Sequence, residues 1–297
     1  MIRRFIAPFV ALSLSTLALA APADTPTATR DLAFGAYQRG DYKAALVEAK
    51  KRVDANPKDA AAQTLIGRLY LEGAGVARDM KQAMDWFRRG ADNGDTEAAY
   101  LYGVGLLEGI DIAKDRARAR AYLEKAGVRE HAAALHLLGE IALENDGKDP
   151  DFAKALSFFK RASAAGSADA DYALGILYKT GKGVEKDERQ AADWFKRASD
   201  LGLAPAMVEY AIMQFNGMGV ERDRAAAVDL LRKAAQKGNA VAQNRLAHLY
   251  AEGLGVEVDV AQAKQWRDKA KQGGLNDPSL DFLSNAPAPK PAAAPAK

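Results

Sequence analysis

Residues 170–195 read ADYALGILYKTGKGVEKDERQAADWF, and this stretch is the fourth of six that share one 36-residue spacing without a gap. The copies start at residues 62, 98, 134, 170, 206 and 242, and every one of these positions is alanine. Six aspartates also recur at this spacing: Asp79, Asp115, Asp151, Asp187, Asp223 and Asp259. Self-similarity at a fixed spacing is typical of repeat architectures. The sequence therefore predicts an array of repeats in place of one large globular core.

Each copy has the pattern of two short helices joined by a glycine turn. In the first copy, Ile66, Leu69 and Tyr70 lie at helical spacing and predict a helix that ends near residue 71. Gly73 follows, and glycine permits the positive φ of a helix C-cap. Asp79 then stands where a side-chain oxygen can cap the exposed amides of a second helix. The repeating unit is therefore predicted to be an antiparallel helix pair.

Small residues recur where the two helices of a pair should touch. The equivalents of Gly67 are glycine or alanine in all six copies, and those of Ala83 are alanine in all six. Alanine is also the best intrinsic helix former, and it supplies 63 of the 297 residues. An aromatic residue follows in most copies at the position of Trp86, which is Trp194 in the fourth copy. We predict that this side chain fills the wedge between neighbouring helices.

The fourth copy displays the whole pattern: Ala170, Leu174, Gly175, Tyr178, Gly181, Gly183, Val184, Asp187, Ala191, Trp194 and Phe195. This pattern closely resembles the Sel1-like repeat, and the resemblance covers residues 62–277. It implies an all-α, right-handed solenoid of antiparallel helix pairs, similar to tetratricopeptide repeats, whose first helices line a concave face. The second and third copies depart from the pattern, with Asp111, Glu130 and Asn145 in place of turn glycines. We expect distorted turns there.

The repeat register divides the chain into segments. Residues 31–61 resemble a divergent tetratricopeptide-like helix pair, because Gly40-Asp41-Tyr42 is followed by Asn56-Pro57. Residues 278–285 are expected to form a C-terminal capping segment, and the Pro/Ala-rich residues 286–297 a disordered tail. The six repeats are assigned to residues 62–97, 98–133, 134–169, 170–205, 206–241 and 242–277.

The first 20 residues have the features of a secretory signal peptide. Arg3 and Arg4 precede an apolar run that ends in Ala18-Leu19-Ala20. We expect cleavage after Ala20, a linker at residues 21–30, and a periplasmic or secreted mature chain. Retention of the segment as an uncleaved anchor is the alternative. No later segment approaches the roughly 20 apolar residues of a membrane span, so no stable membrane insertion is expected after cleavage.

Composition excludes several classes of protein. The chain has no cysteine, so it has no disulfide framework, no thiolate metal cluster and no lipoprotein anchor. Without Arg3 and Arg4, 40 basic residues face 39 acidic ones, because the full chain has 42 and 39. This near balance gives no electrostatic argument for binding nucleic acid.

No catalytic, cofactor-binding or metal-binding residues are predicted. Ser157 and Lys160 match S-x-x-K, and residues 179–181 match K-T-G, both of which occur in penicillin-recognising serine enzymes. The repeat register places these residues beside a buried aromatic pair and at a helix end, and too few residues separate the two matches. His131, His136 and His248 lack the spacing of a zinc site.

The predicted partner-binding surface follows from the helical spacing of the first helices. The equivalents of residues 66, 67, 69 and 70 are predicted to be buried, which leaves the equivalents of 64, 68 and 71 for the concave face. Tyrosines and branched aliphatics there would suit an extended peptide or a partner helix. The alternative is that these residues pack against the adjacent repeat. The predicted partner-binding residues are Phe34, Tyr37, Tyr100, Val104, Leu107, Tyr172, Ile176, Val208, Ile212 and Phe215.

The resemblance implies an adaptor or regulatory solenoid that binds another protein or peptide in the cell envelope and needs no cofactor. An alternative is an envelope accessory protein whose groove aromatics stack on a polysaccharide or peptidoglycan fragment. A remote alternative is a β-lactam-hydrolysing enzyme, since some cysteine-rich relatives have been linked to β-lactams. This chain lacks their cysteines. The sequence does not specify the oligomeric state.

Overall fold

The computed structural model describes residues 31–145 and 149–285, and within these ranges the chain forms fourteen α-helices, one 3-10 helix and no strand. The predicted signal peptide, linker and tail lie outside the described residues. None of the described helices is long and apolar enough to cross a lipid bilayer. The elements are α1 (Leu32–Gln38), α2 (Tyr42–Ala55), α3 (Ala60–Glu72), α4 (Met80–Asp92), α5 (Thr96–Glu108), α6 (Arg116–Val128), α7 (Ala132–Glu144), α8 (Phe152–Ala164), α9 (Ala168–Thr180), α10 (Glu188–Asp200), α11 (Ala204–Asn216), α12 (Arg224–Gln236), α13 (Ala240–Glu252), α14 (Val260–Gln272) and the 3-10 helix (Pro278–Asn285).

Consecutive helices pack against each other along the whole array, so each repeat touches mainly its neighbours. The odd-numbered helices from α3 to α13 are the first helices of the six repeats, and the even-numbered helices from α4 to α14 are the second helices. Buried residues form a series of cores along the array, each made by neighbouring helices. The all-α solenoid that the sequence predicts is therefore confirmed.

Side-chain caps begin both helices of nearly every repeat. The six recurring aspartates each accept a hydrogen bond from the backbone N–H three residues later at 2.9 Å, as predicted for the second helices. A second set caps the first helices: Asp59, Asp95, His131, Ser167 and Asn239. Because these caps precede each opening alanine by three residues, the first helices begin two residues earlier than the alanines suggest.

The turns of the second and third copies keep the backbone conformation of the glycines they lack. Asp111, Glu130 and Asn145 have φ values of 50°, 54° and 40°, within the left-handed region that the turn glycines occupy elsewhere. The backbone at these three positions is therefore not distorted, while the rest of the third copy's turn, residues 146–148, lies outside the described residues. Non-glycine residues adopt this conformation at an energetic cost, and packing of the flanking helices enforces it.

The large side chain at the centre of the repeat lies one position after the tryptophan. Phe87, Phe159 and Phe195 are fully buried, and each ring packs on the small residue of its own first helix, such as Gly175 for Phe195. Trp194 is only partly buried, and the guanidinium of Arg197 lies 4.7 Å from its ring centre. Trp194 packs at the margin of the core formed by α7 to α9, so the prediction that it fills the wedge between neighbouring helices is right only in part, because Phe195 occupies the centre of its own helix pair.

The C-terminal end of the array is closed by the 3-10 helix. Leu280 and Leu283 are buried in the last core. Asp277 joins this segment to α13, since its carboxylate accepts hydrogen bonds from Asn244 at 2.9 Å and pairs with His248 at 2.8 Å. Apolar burial and polar contacts together therefore attach the closing helix to the last repeat.

We expect the contribution of Asp277 to stability to depend on pH. Hydrogen bonds from Ser279, His248 and Asn244 hold the pKa of its carboxyl far below the usual value of 3.8. A lowered folded-state pKa gives stability that is complete above 3.8 and is lost as the pH falls towards the folded-state value. Asp277→Asn should therefore melt at a lower temperature than the wild type at pH 7, and the difference should shrink in acid. A difference measured by circular dichroism that stayed constant between pH 7 and roughly pH 2.5 would contradict this assignment.

Candidate functional site

Successive first helices lie side by side and are joined by polar contacts. Arg68 of α3 pairs with Glu97 of α5 at 2.9 Å, and Lys179 of α9 pairs with Glu209 of α11 at 2.6 Å. The first helices therefore present one continuous surface. We call this surface the first-helix face, and it comprises residues 61, 64, 65, 68, 71 and 72 with their equivalents at 36-residue steps, where these are not buried.

The structure places most of the predicted partner-binding residues on or beside this face. Val208 is the exception, because it is only 5% exposed and packs in the core formed by α11 to α14. Its predicted exposure is therefore wrong. Nine residues are exposed or partly exposed: Phe34, Tyr37, Tyr100, Val104, Leu107, Tyr172, Ile176, Ile212 and Phe215.

Several of these residues also pack against the cores, as the alternative interpretation anticipated. Tyr100 and Leu107 contact the core that spans α4 to α7, and Ile212 contacts the core of α11 to α14. The ring of Tyr172 lies 5.6 Å from that of Phe195, and Arg224 lies 4.9 Å from the ring centre of Phe215. The face therefore exposes the edges of its apolar residues, while their remaining surface stabilises the array.

A polar network on the face links three successive first helices. His131 Nδ1 accepts the N–H of Ala134, so its Nε2 donates to Glu97 at 3.0 Å. The ring of Tyr100 stacks on His131 with centres 4.6 Å apart. Although burial raises the pKa of Glu97, the His131 hydrogen bond and the charge of Arg68 hold it below its usual value. Glu97 is therefore an ionised residue that fixes the relative positions of α3, α5 and α7.

A cavity of about 360 Å³ opens on the face between α5, α7 and the start of α9. Tyr100, His136, Leu137 and Asp169 contribute to its lining. Burial raises the pKa of the Tyr100 hydroxyl, and the charges of Glu97 and Asp169 raise it further. The cavity therefore combines an apolar lining with negative potential.

Sequence reasoning missed Glu97, Leu137 and Asp169, which stand at the equivalents of residues 61 and 65. It placed each helix start two residues late, which excluded Glu97 and Asp169, and it limited the exposed stripe to three positions, which excluded Leu137. The caps at the equivalents of Asp59 were the signal that could have corrected the helix starts.

The residues that match motifs of penicillin-recognising enzymes form contacts within and between helices or lie exposed on a helix surface. Lys179 pairs with Glu209, and Thr180 Oγ1 donates to the carbonyl of Ile176 at 2.7 Å. Ser157 is exposed on α8. Across the described ranges, no three His, Asp or Glu side chains are grouped so that they could hold a metal ion.

The repeat spacing, the capped helix pairs and the glycine turns now identify the family. A family model described as the Sel1 repeat matches residues 60–95, 96–127, 132–167, 168–203, 204–239 and 240–275. The chain belongs to the Sel1 repeat family. The six matched units agree with the six copies predicted from the sequence, and the complete units begin at the first residue of each first helix.

Two solved Sel1-like structures are similar to this chain. A Sel1 repeat protein from Oxalobacter formigenes is 28% identical, with a TM-score of 0.73, and the alignment covers 81% of this chain and 95% of that one. A protective antigen of uropathogenic Escherichia coli, c5321, is 30% identical, with a TM-score of 0.71. That alignment covers 77% of this chain and 49% of the antigen, so the chain spans about half of the antigen's length. The sequence matches no curated protein.

Proposed function

We propose that this chain is a periplasmic or secreted adaptor that binds a peptide or protein segment on the first-helix face, without catalysis. The observation that carries the proposal is the row of partly exposed tyrosine, phenylalanine and aliphatic side chains on successive first helices, with a cavity at its centre. Sel1 repeats generally mediate protein–protein interactions, which supports the same function. The signal-peptide pattern at residues 1–20 supports the envelope location.

The first-helix face is better suited to bind an extended peptide segment than a compact ligand. The apolar residues are spread over four helices, from Tyr100 on α5 to Phe215 on α11, and no enclosed pocket contains them all. Extended peptides bind such grooves through side chains that enter separate pockets. We therefore expect several weak contacts along the face, with Tyr100 and Tyr172 near the centre.

Replacing Tyr100, Tyr172 and Phe215 together by alanine should weaken partner binding at least tenfold, because the variant removes the aromatic edges of the face. The partner would first be identified by crosslinking in the cell envelope and mass spectrometry, and its affinity then measured by biolayer interferometry. A matched control replaces three exposed apolar residues outside the first helices, Val128, Leu201 and Phe282, by alanine. Both variants must retain the helical circular dichroism signal. Equal affinity of the aromatic variant and the wild type would refute the assignment.

The glycan alternative has less support from the ring geometry. One side of the Tyr100 ring is stacked on His131, and the Tyr172 ring is tilted against Phe195. Sugar rings need a free aromatic face, and these contacts occupy part of it. A concentration-dependent rise in melting temperature with muropeptides or polysaccharide fragments would favour the glycan alternative over a peptide partner.

A further inference from the structure

The two helix layers of the solenoid carry opposite charges. The first helices of the six repeats contain nine acidic and three basic residues, whereas the second helices contain eight acidic and twenty basic residues. The nearly neutral total hides this separation, because the two layers have opposite signs and the residues outside the helices offset most of the remaining difference. Clefts lined by one sign of charge concentrate ligands of the opposite sign. The first-helix layer therefore favours a cationic ligand.

The acidic excess is largest beside the cavity. Helices α5, α7 and α9 together hold six acidic residues and one lysine, Lys179, which already pairs with Glu209. Glu97 is neutralised by Arg68, and Glu144 by Arg116. Glu140 and Asp169 are both exposed, and neither forms an ion pair with any residue of the described ranges. Glu108, the last residue of α5, also has no ion pair within the described ranges, so three carboxylates on this part of the face are without a cationic partner, and Glu140 and Asp169 are the two nearest the cavity.

Asp169 contributes to the lining of the cavity, whereas Glu140 lies one helical turn after the lining residue His136 on α7, at the margin of the cavity. Surrounding protein raises the pKa of Glu140, and the charges of Glu144 and Asp169 add to this effect, while His136 acts in the opposite direction. Asp169 also raises the pKa of Tyr100. A cation bound between Glu140 and Asp169 would relieve the repulsion between the two carboxylates.

Building on the proposed function, we infer that the cavity between α5, α7 and α9 receives an arginine or lysine side chain of the bound peptide. Its charged end lies between Glu140 and Asp169, and its methylene stem lies on Leu137 and Tyr100. The partner segment is accordingly cationic. The tyrosine ring adds an attraction for the cation, which is strongest for arginine.

The lining of the cavity favours a peptide side chain over a metal ion as the ligand. Ala132, Ala133 and Leu137 contribute apolar surface, and long basic side chains bury their stems on such surface while the charge stays near water. A calcium ion needs six to eight oxygen ligands, whereas no group of acidic side chains in the described ranges is arranged for a metal. A peptide side chain satisfies both the carboxylates and the apolar lining.

The test uses the full-length mature chain and a fluorescein-labelled octapeptide of alternating arginine and leucine. A second octapeptide replaces each arginine by citrulline, which has the same shape without the charge. We expect the arginine peptide to bind at least tenfold more tightly in fluorescence anisotropy at low salt. Glu140→Gln combined with Asp169→Asn should abolish that preference. A control with the same change in charge, Glu124→Gln with Asp193→Asn, alters exposed carboxylates of the second helices and should leave the preference unchanged.

Three results would overturn the inference: equal binding of both peptides, an arginine preference that survives the Glu140/Asp169 variant, or dimerisation without peptide that the variant abolishes. The last would assign the face to a second copy of the chain. Binding of the natural partner to the two variants shows whether only this inference fails or the proposed function fails as well. If the aromatic triple variant loses the partner while the Glu140/Asp169 variant retains it, only the cationic assignment fails. If both retain it, the first-helix face is not the binding surface.

Discussion

Phe195→Ala is expected to lower the free energy of unfolding by about 3–5 kcal/mol, the usual cost of removing a large buried aromatic side chain. Phe195 is fully buried, and its ring packs directly on Gly175 of the preceding helix. The glycine has no side chain that could move into the space left by the ring. The cavity would therefore remain open and would add to the lost apolar contacts. Urea unfolding followed by circular dichroism measures the effect.

Trp194→Ala is the matched control, because it removes an even larger aromatic residue from the adjacent position. Trp194 is partly exposed, and one neighbour of its ring is the solvated guanidinium of Arg197. We expect its cost to be less than half that of Phe195→Ala. The reverse order would show that the tryptophan holds the helix pair together and that our description of the core is wrong.

Gly219→Ala should lower the free energy of unfolding by about 2–5 kcal/mol, because two effects combine at this position. Gly219 has a φ of +66°, a conformation that costs an L-residue about 1–2 kcal/mol. A Cβ there would also overlap the carbonyl of Glu188 and lie 2.6 Å from the amide nitrogen of Arg189, both at the start of α10. The glycine turn of one repeat thus packs directly on the helix start of the preceding repeat.

Gly238→Ala separates these two effects. Gly238 has a φ of +86°, and a Cβ there would meet no atom within 4 Å. Its replacement should therefore cost only the conformational part, about 1–2 kcal/mol. If urea unfolding gave equal losses of unfolding free energy for the two variants, the contact between Gly219 and α10 would contribute nothing to the packing between repeats.

The repeat, the helix pairs and the aspartate caps could be predicted because they depend on local chemistry repeated at a fixed spacing. Which residue fills the core could not, since Trp194 and Phe195 are adjacent and either could point inward. The facing residues held a clue. Each of the three phenylalanines at this position faces a glycine of the first helix, as Phe195 faces Gly175, whereas Ala211 shares its core with the smaller Leu231.

The candidate site was only partly predictable for a related reason. Val208 stands at the same repeat position as Tyr100 and Tyr172, but its shorter side chain lies within the core of α11 to α14. Asp169 was missed because the start of α9 was placed two residues late. The separation of charge between the helix layers was visible in the sequence, but only after residues are summed by helix. The net charge of the whole chain is close to zero and does not reveal this separation. The acidic face could therefore not be found from the net charge alone.

Site-specific photo-crosslinking tests directly whether the first-helix face binds the partner. The photoreactive residue p-benzoylphenylalanine would replace Tyr172 on this face or, as a control, the exposed Lys160 on the opposite layer. We expect a single discrete crosslinked product in cells from position 172 and none from position 160. The same product from position 160 alone, with nothing from position 172, would contradict it.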